Sequence, residues 1–322
     1  MFTQLLAVLF SLLTLSAAYS TDVLDTLRRD SFIANAAYCV DQMIFLTSET
    51  GQTALTQNYG LNFTTVFSPN FTEAEVTGNS FIAVNESSKT IYVSFRGGAS
   101  IGDIFTDFDS DVVSYKPLYS VPKTTCDDCL VHDGFYSQFK KFSGSVFSGL
   151  MTIYQNNTDY DVVVTGHSSG GAYALLFGIE LKSLGHSPSV VTFGSFRVGN
   201  DNFAKWVNKL FSVEDAASSV AANKTIDQTY VRVVQKQDVV PYLPAGENFT
   251  HAGLQFQINT NQTYYPTIEQ VEFDSNYTVS TLDSSLSGNF FTDIYSLNLT
   301  FTGHTSYFRR MSLPCLQDSI VF

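Results

Sequence analysis

The residues best suited to covalent chemistry lie in Gly166-His167-Ser168-Ser169-Gly170. A serine hydroxyl becomes a useful nucleophile when a neighbouring base takes its proton, and that base needs an acid to orient it. G-x-S-x-G is the pattern of a tight strand-to-helix turn that thrusts its serine out at the carboxyl end of the strand. The pattern alone can arise by chance in a chain of this length and serine content, so the flanks decide. Val162-Val163-Val164-Thr165 ahead of it is β-branched, and Ala172-Tyr173-Ala174-Leu175-Leu176 behind it favours helix. Ser168 is therefore the candidate nucleophile. The helix that follows would offer N–H groups and a positive dipole end to developing negative charge.

A carboxylate and a histidine should follow in that order. Asp238 stands in Gln237-Asp238-Val239-Val240-Pro241, just beyond a strand-like run ending at Val234, where it could reach an imidazole. Three histidines come after Ser168. His186 closes the helix behind the turn and reads as a surface residue. His251 precedes the strand-like run Leu254 to Ile258 and so sits at the wrong end of it. His304, in Gly303-His304-Thr305-Ser306-Tyr307, is preferred as the base, with His251 a structural polar contact.

These residues need a scaffold. Asp22 to Phe45 has a recurring apolar face and reads as helix, as does the series Phe135, Phe139, Phe142, Val146, Leu150 and Ile153. Ser80–Val84 and Ile91–Phe95 read as a hairpin. Strands are expected at Tyr160–Thr165, Ser189–Phe193 and Tyr230–Val234. Helices are expected at Ala172–Leu184 and around Phe203, Trp206, Val207 and Leu210, which puts the sole tryptophan on a core-facing side. Helix alternating with strand implies an α/β fold with a mainly parallel sheet. No Pro/Gly-rich linker divides the chain, so residues 21–322 read as one domain.

Composition narrows the function classes. Hydrophobic residues at 44% and charged residues at 15% are globular values. A net charge of −13 excludes nucleic acid as a partner and electrostatic attraction to an anionic membrane, leaving apolar contact as the route to any lipid surface. Residues 1–20 read as a secretory signal peptide: an apolar stretch from Leu5 to Leu15 precedes the small residues Ser16, Ala17 and Ala18. Asn62, Asn70, Asn85, Asn156, Asn223, Asn248, Asn261, Asn276 and Asn298 each begin an N-x-S/T acceptor, in keeping with an extracellular glycoprotein. The four cysteines, Cys39, Cys126, Cys129 and Cys315, then read as two disulfides. Of three pairings, the short Cys126-x-x-Cys129 spacing favours a local bridge, leaving Cys39 for Cys315. No His/Cys cluster at metal-ligand spacing accompanies them, so neither metal nor cofactor is expected.

The chain resembles the secreted fungal and yeast class 3 triacylglycerol lipases of the α/β-hydrolase superfamily. The resemblance rests on an ordered series. It runs from Ala37-Tyr38-Cys39, Phe95-Arg96-Gly97-Gly98 and Val131-His132-Asp133-Gly134-Phe135 through the Ser168 turn. It continues with Arg197-Val198-Gly199-Asn200, Asp238-Val239-Val240-Pro241-Tyr242-Leu243-Pro244, His251-Ala252-Gly253 and His304-Thr305-Ser306-Tyr307-Phe308. It implies a central, mostly parallel mixed sheet flanked by helices, with Ser168, Asp238 and His304 as a triad. It also implies the N–H groups of Gly98 and Ser169 as an oxyanion hole, and Cys39–Cys315 as an end-to-end disulfide. Gly98 stands where the family usually has Ser or Thr, Ser169 where it has Leu, and Phe196 where it has Pro.

The resemblance also places a lid just after Gly98. There Ile101, Ile104, Phe105 and Phe108 fall at i, i+3, i+4 and i+7, one apolar helix face. The implied activity is hydrolysis of acylglycerols at a lipid–water interface by a monomer. A feruloyl or other soluble-ester esterase of the same fold is the first alternative, and a catalytically silent binding protein the second.

Overall fold

The β-branched run ahead of Ser168 becomes the centre of the molecule. The structure, a computed structural model, describes residues 19–38, 53, 56, 60–67, 80–98, 110–119, 125–244, 248–260, 264–274 and 301–311. Its strands are β1 (Phe63–Phe67), β2 (Ser80–Asn85), β3 (Thr90–Phe95), β4 (Val112–Ser114), β5 (Leu130–His132), β6 (Asp161–His167), β7 (Ser189–Phe193), β8 (Tyr230–Gln235), β9 (Leu254–Ile258) and β10 (Val271–Asp274). The helices are α1 (Thr21–Ala36), α2 (Asp133–Tyr154), α3 (Ser169–Ser183), α4 (Asp201–Leu210), α5 (Val213–Ala221) and α6 (Phe301–His304).

One sheet runs in the order β1-β2-β3-β6-β7-β8-β9-β10, and β4 pairs with β5 separately. From β3 to β9 every pairing is parallel, while β1–β2, β2–β3 and β9–β10 are antiparallel. The sheet is thus mixed and mostly parallel, as expected. Every residue of β6 after Asp161 is buried, because helices cover both faces of the strand; such strands read as unbroken apolar runs. Side-chain alternation splits the core in two. Phe81, Ala83, Tyr92 and Val163 pack with Phe32, Ile33 and Ala36 of α1, whereas Ile82, Ile91, Val93 and Val164 share a cluster with α2 and α3. α3 is apolar nearly all round and buried along almost its whole length, as a helix held between a sheet and a second helix must be.

Several expectations shift. Tyr19 and Ser20 are packed into the fold. The Tyr19 ring packs edge-on against Phe256 at 5.1 Å, its hydroxyl donates to the Val271 carbonyl at 2.9 Å, and the Ser20 hydroxyl caps α1. Both residues fall within the stretch 1–20 read above as a signal peptide, of which residues 1–18 lie outside the described residues. α1 ends at Ala36, and residues 39–45 of the expected longer helix lie outside as well. Asn85 is corrected as a glycan acceptor: it is 1% exposed in β2, between β1 and β3, with no room for a sugar. Asn62, Asn156, Asn223 and Asn248 are exposed. Asn70, Asn261, Asn276 and Asn298 lie outside the described residues. Trp206 is partly buried and packs against the core beside Tyr115 and Phe203. Cys126 and Cys129 form a disulfide in the turn before β5. Cys39 and Cys315 are outside the described residues, as are Ile101, Ile104, Phe105 and Phe108.

Candidate active site

β6 delivers Ser168 at its carboxyl end. Ser168 has φ 61° and ψ −131°, a conformation that costs a non-glycine residue roughly 1–3 kcal/mol and that the surrounding turn imposes. Two glycines explain how the turn closes. A Cβ on Gly166 would collide with the Gly170 carbonyl, and a Cβ on Gly170 would collide with the Phe95 carbonyl. The bare backbones let β3, β6 and the start of α3 meet. Ser168 N–H donates to the Phe193 carbonyl at 3.0 Å, tying the turn to β7.

Asp238 lies just past the carboxyl end of β8, and His304 ends α6. The structure brings them together: His304 Nδ1 is 2.9 Å from Asp238 Oδ2, with both side chains at most 1% exposed. Asp238 is otherwise saturated. Oδ1 accepts from Val240 N–H at 2.8 Å, and Oδ2 also accepts from the Tyr307 hydroxyl at 2.5 Å. Tyr307 in turn accepts from Gln235 N–H at 3.1 Å, so its proton points at the carboxylate. Burial beside Asp238 holds this phenol well above its ordinary range, and it stays a donor. A Cβ on Gly303 would lie 2.7 Å from the Gln237 carbonyl carbon, so this glycine lets the two loops touch.

Two polar atoms at this place have no hydrogen-bond partner, although both are buried: Ser168 Oγ and His304 Nε2. A serine hydrolase uses atoms of these two kinds as nucleophile and base. Gly97 and Gly98 leave β3 beside the turn; a Cβ on Gly97 would lie 2.9 Å from Ser168 Cβ. The Gly97 backbone and Ser169, the first residue of α3, thus flank Ser168. Together these groups can move a proton from a hydroxyl to an imidazole and receive an anion beside it.

The remaining histidines are placed differently. His251 donates from Nε2 to the Pro241 carbonyl at 2.7 Å, and burial with Arg232 and Arg197 nearby holds it well below its usual range, hence neutral. It braces the Asp238 loop. His186 is half-buried, edge-on to Tyr154 at 5.1 Å. Sequence reasoning quoted Tyr307 within a motif yet gave it no role; an aromatic residue three places after the base was the available signal. Glu180 was missed altogether. It is buried in α3 and accepts from Leu118 and Tyr119 N–H at 2.9 Å, fixing the segment after β4. Among the described residues no group of His, Cys, Asp and Glu could hold a metal, and no helix is long and apolar enough to cross a membrane.

Comparison with known proteins gives this arrangement a family. Residues 92–248 match the family model described as Lipase (class 3). The chain is 34% identical to the secreted mono- and diacylglycerol lipase 2 of Gibberella zeae, over 51% of this chain and 42% of that protein. It is 32% identical to a lipase of Rhizomucor miehei, over 57% of this chain and 46% of the other. The matches therefore span about half the length of these relatives. Among solved structures, the Lip2 lipase of Yarrowia lipolytica superposes with a TM-score of 0.68 at 28% identity. That match covers 92% of this chain and 96% of the other. The chain is thus similar to the class 3 lipases over residues 92–248 and has the α/β-hydrolase fold of its structural neighbours.

Proposed function

We propose that this chain, similar to the class 3 lipases, is a carboxylic-ester hydrolase acting on acylglycerols, with Ser168 as nucleophile, His304 as general base and Asp238 as its orienting acid. The observation that carries the reading is the buried Asp238–His304 pair, whose free Nε2 accompanies an equally unpartnered Ser168 Oγ. Ser168 Oγ attacks the ester carbonyl while His304 Nε2 takes its proton. The carbonyl oxygen becomes an oxyanion beside the N–H groups of Gly98 and Ser169. Collapse breaks the bond to the alcohol oxygen, which receives the proton from His304. Water then attacks the acyl-enzyme with the same base, and the acid and free Ser168 are released. Asp238 stays ionised and stabilises the transient imidazolium.

Triacylglycerol is the substrate class that the resemblance to the class 3 lipases favours, and the secreted relative of Gibberella zeae supports secretion. Cleavage after Ala18 would satisfy the small-residue rule through Ser16 and Ala18 and leave Tyr19 as the first residue, where the fold begins. Exposed Asn62, Asn156, Asn223 and Asn248 would then be the glycan acceptors.

The test is a Ser168→Ala enzyme assayed on a dissolved p-nitrophenyl ester and on emulsified triglyceride. Turnover should fall by roughly 10⁴-fold or more on both, and labelling by a serine-directed phosphonate should vanish. Labelling that persists at another serine would overturn the assignment. Wild-type activity on methyl ferulate and none on triglyceride would move the substrate to soluble esters.

A further inference from the structure

His167, the residue ahead of the nucleophile, makes two hydrogen bonds that the chemistry above does not use. Its Nε2 lies 2.8 Å from the backbone carbonyl of His304, and its Nδ1 lies 2.7 Å from the Tyr38 hydroxyl. A carbonyl only accepts, so Nε2 carries the hydrogen. Burial and the adjacent His304 hold the ring well below the ordinary histidine range, so it is neutral and Nδ1 is bare. Tyr38 must then donate to it. The Tyr38 oxygen accepts in turn from the backbone of Gly97, on the loop that carries Gly98. The His167 ring also lies against the His304 ring, centroids 4.5 Å apart and planes 32° apart.

These contacts answer a mechanical need. The imidazole of His304 has one hydrogen bond, Nδ1 to Asp238, and a ring with one tie can still pivot about it. α6, which carries it, is only four residues long. We propose that His167 and Tyr38 are positioning residues for the base. Tyr38 fixes the tautomer of His167, and His167 holds His304 through its backbone carbonyl and its ring face. The proposal rests on His304 being the base. It also gives Tyr38, beyond the end of α1, a reason to be buried against both the turn and the Gly97–Gly98 loop, so that nucleophile, base and oxyanion donors share one brace. The locked tautomer has a further consequence. When His304 takes the proton from Ser168, a second cation 4.5 Å away would repel it, and a His167 that Tyr38 already serves as donor does not compete for that proton.

The experiment uses the full chain and a dissolved short-chain p-nitrophenyl ester, with phosphonate titration to count competent Ser168. His167→Leu, which removes both hydrogen bonds, should lower kcat about 100-fold with KM within about twofold, and slow phosphonate labelling in parallel. His167→Gln, whose amide can still donate to the His304 carbonyl, should recover about tenfold of that loss. Tyr38→Phe should cost about tenfold in the wild type and less than about twofold on top of His167→Leu, because the tyrosine acts through the histidine. Thermal melting establishes that each variant is folded. A folded His167→Leu enzyme with wild-type kcat overturns the proposal, as does a Gln variant no better than Leu. Should His167→Leu not fold, Tyr38→Phe decides alone: unchanged kcat overturns the proposal. Failure of phosphonate to label the wild-type enzyme at Ser168 would instead strike the hydrolase reading on which it rests.

Discussion

The segment that carries His304 and the loop that carries His251 each bury a histidine beside Asp238's segment, yet the two rings are partnered differently. His251 gives its Nε2 hydrogen to the Pro241 carbonyl, and charge from Arg232 and Arg197 discourages protonation further. His304 has its Nδ1 on a carboxylate and its Nε2 free. Burial is equal in the two, so burial does not make a base. A carboxylate behind one nitrogen and a vacant second nitrogen do, because the first stabilises the imidazolium and the second can accept the proton.

Exchanging the roles in mutants gives the largest contrast. His304→Ala should lower kcat by roughly 10⁴-fold or more with little change in Tm, since triad members act as a unit. His251→Ala should do the reverse. It leaves the Pro241 carbonyl without its donor and a cavity behind it, costing several degrees of Tm and no more than about tenfold in kcat. Assays on a dissolved ester beside thermal melts check both. A folded His251→Ala enzyme without turnover would erase the distinction.

A smaller effect sharpens it. Tyr307 donates to the same Asp238 oxygen that holds His304. Tyr307→Phe should free that oxygen and loosen the carboxylate, lowering kcat about tenfold at unchanged KM. Full activity in Tyr307→Phe would show that Val240 N–H alone holds Asp238 in place.

Why the sequence disclosed so much of this site follows from the same chemistry. Ser168 and its helix were legible because close backbone approach demands glycine at 166 and 170, and because β6 and α3, covered on both sides, write unbroken apolar runs. Asp238 and His304 were legible from chain order beside strand ends. β1, β10, α5 and the β4–β5 pair were not expected: short or edge strands and a nine-residue helix carry too few apolar positions to set a period. The His167 brace was hidden for a different reason. Its partners, Tyr38 and the His304 carbonyl, lie 129 and 137 residues away, one of them is backbone, and neither leaves a pattern in local sequence. Tyr19 was assigned to a leader because small residues precede it; its core contacts with Phe256 and Val271 are made 237 and 252 residues away.

The neutral His251 also has a counterpart of opposite sign on the far helix. Asp30, in α1, is fully buried. Burial pushes its carboxyl up to about 6, against the pull of the Arg29 guanidinium 3.5 Å away. Its folded value is raised above the ordinary 3.8, so the folded state holds the proton where the unfolded chain has released it. Stability from this group is therefore present below pH ~4 and lost as pH rises through about 6. His251 runs the other way: its depressed folded value makes stability present above the usual histidine range and lost on acidification. Asp30→Asn keeps the shape and removes the buried charge. The Arg29 side chain is 34% exposed, so water solvates part of its guanidinium, and the Asn amide oxygen can still accept from the buried Nε; the relief of burying Asp30 then outweighs the lost pair. Asp30→Asn should thus raise Tm by about 3 °C at pH 7.5. The gain should shrink through pH 6 and vanish below about pH 3, where wild-type Asp30 is protonated in both states. Melting curves across that range read it directly. A gain of the same size at pH 4.5 would deny the titration, and a loss at pH 7.5 would mean that the Arg29 pair outweighs the cost of burial.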